Sequence, residues 1–334
     1  QLRAEFEQKL KTLKDDYETR LKEMEARLEK TASRAEAAQT TADQAAKQPA
    51  AQSAFNPEIS LILQGNYARR LGGERHITGF LQGGHDHGGE RGFSLDHTEL
   101  TLGASVDPYF RGYANIALAD GEAEVEEAWF QTLSLGKGFS LKGGRFLSGI
   151  GYQNEQHPHA WDFADNNLMY QVLFGEHFAQ DGLQAKWLAP LPVFLEFGLE
   201  AGRGQNFPGS DEGGDKNGPG AWAAFAHVGD DIGIEQSWRA GLSYVYASPK
   251  ARSSHIEDLN DIEALTDFTG TSKTWIADLV WKWAPDGNPK DRHFKFQTEY
   301  FHRTENGDLL CEDNLLEGGA CDGTTGLYRS RQSG

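Results

Sequence analysis

The sequence predicts an all-β fold, a transmembrane antiparallel β-barrel, preceded by an α-helical coiled coil. Two observations predict it: the spacing of apolar residues, and the lengths of the connections. Apolar residues recur at heptad spacing up to residue 47 and at alternate positions from residue 58 onward. The alternating stretches are rich in aromatic residues, and short connections between them largely alternate with long ones, as in outer-membrane barrels.

Residues 1–47 are predicted to form a coiled-coil stalk. Apolar residues from Tyr17 to Ala45 are spaced four and three apart, and the remaining faces carry Glu, Lys and Arg. Alone, such a helix buries too little to be stable, so self-association is favoured over a single helix that packs on its own domain. Residues 48–57 contain two prolines, which break helices, and are predicted to be a linker.

Residues 58–334 are predicted to form the barrel. Between Trp275 and Trp283, large apolar residues alternate with Asp278 and Lys282. An apolar face toward lipid and a charged face toward a wet lumen explain this alternation, and backbone groups in lipid require closure. A soluble β-rich domain is the alternative. About 12 strands are visible and no closing strand is found, so several C-terminal strands are expected to be missing.

The predicted lumen-facing residues carry both signs of charge. All of the net charge of -18 lies beyond residue 50, and such a field repels nucleic acid and favours cations. The predicted lumen-lining residues are Arg111, Arg145, Lys186, Glu196, Glu200, Arg239, Asp278, Lys282, Lys295 and Glu299.

The long aromatic connection at 148–177 is predicted to fold into the barrel and narrow the channel. The alternative is an outward surface loop. It also carries His157 and His159, two residues apart, followed by Asp162. In extended backbone such histidines face the same way and could bind Zn²⁺ together.

A second connection, at 70–92, repeats the pattern with His85, Asp86 and His87. For both loops, solvated polar residues are the alternative to a metal site. The acidic loops at 211–216, 257–263 and 311–314 could hold Ca²⁺ or Mg²⁺, with solvated carboxylates as the alternative. No resident cofactor is predicted.

Cys311 and Cys321 close a short loop and are predicted to form a disulfide in an oxidising compartment, with two free thiols as the alternative. No enzyme is predicted, because G-x-S-x-G, H-E-x-x-H and P-loop motifs are absent from the sequence. Adjacent carboxylates such as Glu126 and Glu127 are expected to face opposite sides of a strand.

A family resemblance rests on several segments. The run ERGFSLDHTELTLGASVDPYFRGYANIAL, then VEEAWFQTLSL and LKGGRFLSGIGYQNEQHPHAWDF, resembles proteobacterial outer-membrane proteins named zinc-regulated TonB-dependent outer membrane receptors or described as porins. GQNFPGS and WIADLVWKWAPDGNP also look like that group, so the resemblance covers nearly all of residues 56–334. The order of strands is similar, more distantly, to phosphate-selective porins, which implies a trimeric barrel of about 16 strands.

The resemblance and the residues together predict a porin-like channel for passive passage of small polar solutes or ions, including zinc. It would lie in the bacterial outer membrane as a trimer held by the coiled coil, with the helix in the periplasm. Outer-membrane lipid, lipopolysaccharide and peptidoglycan are the further expected partners. The alternatives are a TonB-linked zinc receptor, although a helix stands where such receptors have a plug domain, and a structural envelope tether anchored by the barrel.

Overall fold

A computed structural model describes residues 58–69, 92–119, 122–163, 165–257, 263–311 and 325–334. The predicted stalk at 1–47, the linker at 48–57, and the residues His85, Asp86, His87 and Cys321 lie outside these ranges.

The described residues form one antiparallel sheet of 13 strands, which confirms the predicted antiparallel β fold. Strands β1 to β9 neighbour one another in chain order, followed by β11, β12 and β13, while β10 pairs with the first part of β11. The strands are β1 (Glu58–Ala68), β2 (Gly92–Ser105), β3 (Phe110–Ala119), β4 (Glu122–Thr132), β5 (Phe139–Leu147), β6 (Ala179–Leu188), β7 (Phe194–Gly202), β8 (Ala221–Ile232), β9 (Gln236–Ala247), β10 (Arg252–Glu257), β11 (Glu263–Trp283), β12 (Phe294–Cys311) and β13 (Thr325–Ser333).

In the described residues, helical structure is limited to short pieces in the connections. These are α1 (Leu168–Phe174), α2 (Asp211–Gly214), and 3₁₀ turns at Pro158–Ala160 and Pro285–Gly287. Within the described part of the chain, no helix has the length and apolar character of a membrane span.

The register sorts the side chains of the sheet onto two faces. Ile276 pairs with Phe301 and Asp278 with Glu299, so these residues share one face with their neighbours two positions away. We call this the charged face. The opposite face, which we call the apolar face, carries exposed residues such as Leu199, Leu242 and Leu279.

Aromatic residues on the apolar face form two rows separated by aliphatic residues. In one row Tyr244 contacts Trp222 on one side and Trp275 on the other. Trp281 and Phe294 belong to the other row, six residues further along β11, or roughly 20 Å at the rise of a strand. Small and aliphatic residues lie between the rows: Ala226, Val228, Ala240, Leu242, Ala277 and Leu279.

Nine of the ten residues predicted to line a lumen lie on the charged face, and Arg145 does not. Arg145 pairs with Ala128 and Asp181 and lies two residues from Gly143, which packs under Phe130 and Leu183 of the apolar face. The prediction for Arg145 is therefore corrected. Its guanidinium instead forms an ion pair with Asp181, with Nε 2.7 Å from Oδ1.

The sheet is open in the described residues. There β1 pairs with β2 alone and β13 with β12 alone, so closure into a barrel is not established by these strands.

The hydrophobic core lies on the charged face, between the sheet and residues 148–178, which we call the inserted segment. Helix α1 begins after Asn167, whose side chain accepts a hydrogen bond from the Tyr170 backbone N–H as an N-cap. Its side chains pack against an apolar area of the wall. The buried cluster comprises Ile150, Tyr170, Val172, Leu173, Phe174, Phe178, Ala221, Ala223, Phe225, Val245, Ala247, Ile276 and Phe301.

Candidate functional site

Polar contacts fix the inserted segment to charged residues of the wall. Glu200 on β7 accepts hydrogen bonds from the Ser148 hydroxyl and the Gly149 backbone N–H. Glu299 on β12 accepts from the backbone N–H groups of Tyr152 and Gln153. Because these carboxylates accept the segment's own backbone N–H groups, they fix the path of the segment across the charged face.

The contacts require the sheet to curve around the segment. Gln153 contacts Glu299 on β12, and six residues later His159 contacts Glu99 on β2. Six extended residues reach roughly 21 Å. Strands β2 and β12 are nine steps apart in the sheet, or roughly 43 Å if it were flat. Two side chains cannot make up this difference, so the charged face is concave.

Further contacts link the segment to other predicted lumen residues. Lys186 Nζ lies 3.0 Å from Glu155 Oε1 and 3.7 Å from Glu196, and Arg239 donates to the Gly151 carbonyl. Lys295 pairs with Asp162, the carboxylate that follows the two histidines in the sequence.

The remaining predicted lumen residues have different surroundings. Asp278 is buried, and neither of its carboxylate oxygens has a hydrogen-bond partner in the described residues. Lys282 Nζ lies 6.0 Å from the centre of the Tyr152 ring. Arg111 pairs with the exposed Glu58.

A β-bulge creates a cluster of carboxylates at the other end of the segment. Asn115 pairs with Glu127 and Ile116 with Val125, so Glu126 is the extra residue of β4. The bulge turns both Glu126 and Glu127 toward His157. This corrects the expectation that these neighbouring carboxylates face opposite sides.

We call Glu99, Asn115, Glu126, Glu127, His157 and His159 the carboxylate–histidine cluster. His157 Nδ1 lies 3.2 Å from Glu126 Oε2 and 3.6 Å from Glu99 Oε2. His157 Nε2 lies 2.9 Å from Glu127 Oε1. His159 contacts the other oxygen of Glu99 at 3.0 Å, and its ring is stacked on that of His157. The two predicted histidines therefore do lie together.

Neighbouring groups hold the cluster in place. Glu127 also accepts from the Trp129 indole at 2.9 Å and from the Leu147 backbone N–H at 3.3 Å. Glu99 and Asn115 are fully buried, whereas the His159 side chain is 32% exposed. An ion could therefore reach the cluster from the concave side.

The electrostatics of the cluster are dominated by its carboxylates. Burial disfavours the charged form of His157, but hydrogen bonds to Glu126 and Glu127 outweigh it and raise the pKa of His157 to about 10. Three carboxylates thus surround one imidazolium, and the ammonium of Lys142 also acts on Glu127. The side formed by Glu99 and Glu126 retains excess negative charge.

A cavity of about 760 Å³, lined by both apolar and polar side chains, lies between the inserted segment and β12. Its lining includes Asp162, Asp165, Asn167, Lys295 and Glu299. These side chains offer carboxylates, an amide and one ammonium group to a small polar solute.

Cys311 ends β12 and is disulfide-bonded. Its predicted partner Cys321 lies outside the described residues, so the Cys311–Cys321 pairing stays a prediction.

Comparison with known proteins gives one similarity. No known family model matches the chain, and no solved structure matches it. The chain is 36% identical over 279 residues to a protein of Aquifex aeolicus (strain VF5) described as "Uncharacterized protein". The match covers 78% of this chain and 58% of that protein, so this chain spans less than two thirds of its relative.

Proposed function

We propose that the chain forms a transmembrane β-barrel in a bacterial outer membrane and acts as a porin-like channel for small polar solutes or ions. The inserted segment is its constriction. One observation carries the proposal: the segment lies in the concave, charged face of an antiparallel sheet whose convex face is apolar and exposed.

The apolar face supports the membrane part of the proposal. Side chains such as Leu199, Leu242 and Leu279 are at least 40% exposed, which is costly in water over so large an area. Two aromatic rows with aliphatic residues between them have the arrangement of an outer-membrane apolar band and its girdles.

The curvature of the sheet supports closure. In lipid, each unpaired strand edge would leave backbone N–H and C=O groups without partners, which costs several kcal/mol per group. Strands β1 and β13 have such edges, so the proposed barrel closes through further pairing of these two edges.

The charges of the concave face support passage of cations. Glu196, Glu200, Asp278 and Glu299 lie there with Lys186, Arg239 and other basic residues, and the chain as a whole carries -18. A lumen of mixed charge below an acidic mouth replaces ion hydration at low cost and attracts cations. The proposal also includes assembly as a trimer through a coiled-coil stalk in the periplasm. It likewise includes the likeness to phosphate-selective porins.

Shortening the inserted segment is expected to widen the channel. In the test variant a short Gly/Ser linker replaces residues 155–166, which keeps the anchors at Tyr152 and Gln153 and helix α1. Single-channel conductance in a planar bilayer should rise roughly twofold or more, because the narrowest part of the pore is removed.

The control replaces the exposed turn at 285–291 with a Gly/Ser linker and should conduct like the unmodified chain. Equal conductance of the shortened and unmodified chains would show that the segment is not the constriction. Absence of any conductance from the folded, inserted chain would overturn the channel itself.

A further inference from the structure

The carboxylate–histidine cluster has the geometry of a tetrahedral metal site. In such a site, ligand atoms roughly 2.1 Å from a zinc ion are roughly 3.4 Å from one another. His157 Nδ1 is 3.2 Å from Glu126 Oε2 and 3.6 Å from Glu99 Oε2, and one atom of each residue lies within 4.8 Å of the others. Two of the three distances between these atoms match the edge of that tetrahedron, and the third, between the two carboxylates, is at most 4.8 Å.

The amide of Asn115 occupies the fourth corner. Its Nδ2 lies 2.8 Å from Glu99 Oε2, 3.3 Å from Glu126 Oε2 and 3.2 Å from His157 Nδ1. A half-turn of the amide places Oδ1 at this corner as an oxygen ligand. The Thr101 hydroxyl, 3.4 Å from the amide, can donate or accept and so suits both orientations.

Hydrogen bonds alone do not satisfy this group of atoms. An amide NH₂ has two hydrogens, yet three atoms converge on it. A cation among the four atoms removes this conflict and balances Glu99 and Glu126.

The contacts around the cluster match those that orient metal ligands. His157 Nε2–H can donate to Glu127 while Nδ1 points at the ion, which is the carboxylate–histidine–metal arrangement of many sites. Trp129 holds Glu127, and His159 holds the second oxygen of Glu99. Each of these contacts restricts the rotation of a ligand.

We propose that His157, Glu99, Glu126 and the Asn115 amide oxygen bind one divalent transition-metal ion of the Zn²⁺ class. One imidazole with oxygen ligands suits such an ion. Because His157 belongs to the inserted segment and the other ligands belong to β2, β3 and β4, the ion ties the constriction to the wall. The inference goes beyond the proposed channel and does not depend on conductance.

Titration calorimetry of Zn²⁺ binding to the full chain in detergent micelles tests the site. All variants carry His85→Ala and His87→Ala, because those residues were predicted to bind zinc. This background should bind one equivalent of Zn²⁺. His157→Gln and Glu126→Gln should each weaken binding at least tenfold, and Glu127→Gln, which keeps all four ligands, by about 10–100-fold. His293→Gln, in an exposed turn, is the matched control and should change nothing.

Binding of zinc to His157→Gln with the affinity of the background would overturn the site, as would absence of binding at about 1 mM Zn²⁺. If His157→Gln fails to fold, the variant Asn115→Asp tests the metal site instead. At the proposed site the new carboxylate becomes a ligand, so Zn²⁺ should raise the thermal midpoint of Asn115→Asp more than that of the background. An equal or smaller rise would contradict the site. Conductance without zinc binding would leave the channel standing, and zinc binding without conductance would leave the site standing.

Discussion

Replacing Glu305 with alanine is expected to lower the free energy of unfolding by about 3–5 kcal/mol. Glu305 is fully buried and accepts two hydrogen bonds from Arg252, at 2.8 and 3.2 Å. The buried guanidinium of Arg303 lies 3.9 Å away, and the Phe207 ring contacts both arginines. Without the carboxylate, two buried positive charges lose their counter-charge, which costs far more than the loss of a surface ion pair.

Urea unfolding of the chain in lipid vesicles, followed by tryptophan fluorescence, measures this effect. Glu212→Ala is the matched control, because Glu212 and Lys250 form an ion pair in which both side chains are at least 60% exposed. Loss of such a pair is expected to cost about 1 kcal/mol or less. Equal stabilities of Glu305→Ala and Glu212→Ala would contradict a buried charge network at the end of the sheet.

Arginine at position 279 is expected to destabilise the protein in lipid by about 2–4 kcal/mol relative to alanine there. Leu279 lies on the apolar face between the two aromatic rows, where a bilayer midplane would be. The guanidinium of the variant would have to lose its hydration or distort the bilayer, and no carboxylate of the charged face can reach around the strand.

The control for this experiment is the same substitution at a different depth in the bilayer. Phe294 lies on the same face in the row near the turn at Pro285–Gly287, where lipid headgroups would begin. Arginine at position 294 should therefore cost about 0–1 kcal/mol relative to alanine there. Urea unfolding of the four variants in vesicles measures the two differences, and equal costs at the two depths would argue against a bilayer around this face.

Strands with strict alternation were predictable from the sequence. The stretch from Trp275 to Trp283 repeats large apolar residues at every second position, and it forms the second half of β11. The first half of β11 has no such alternation. It pairs with β10 through residues such as Thr266, Asp267 and Phe268, where polar residues on both faces hide the period. Apolar residues alternate with polar ones where one face of a strand is buried or contacts lipid. Strand segments outside such environments therefore lack the alternation from which a strand is predicted.

The carboxylate–histidine cluster could be predicted only in part. The spacing of His157 and His159 placed them on one side of an extended segment, and they do lie together. Their partner Glu99 is distant in the sequence and reaches them only because the segment crosses the sheet. The bulge that adds Glu126 depends on how β3 and β4 pair, which local sequence does not encode. A similar limit explains Arg145, since charge alone does not reveal which face a residue near a strand end occupies.

Quenching of tryptophan fluorescence by brominated lipids tests the central claim most directly, namely that the apolar face contacts lipid and the charged face does not. Two single-tryptophan variants are compared in vesicles. One retains Trp275, which is 49% exposed on the apolar face, and the other Trp129, which is stacked on Tyr113 on the charged face. The account predicts strong quenching of Trp275 and little of Trp129. Equal quenching of the two, or no quenching of Trp275, would contradict it.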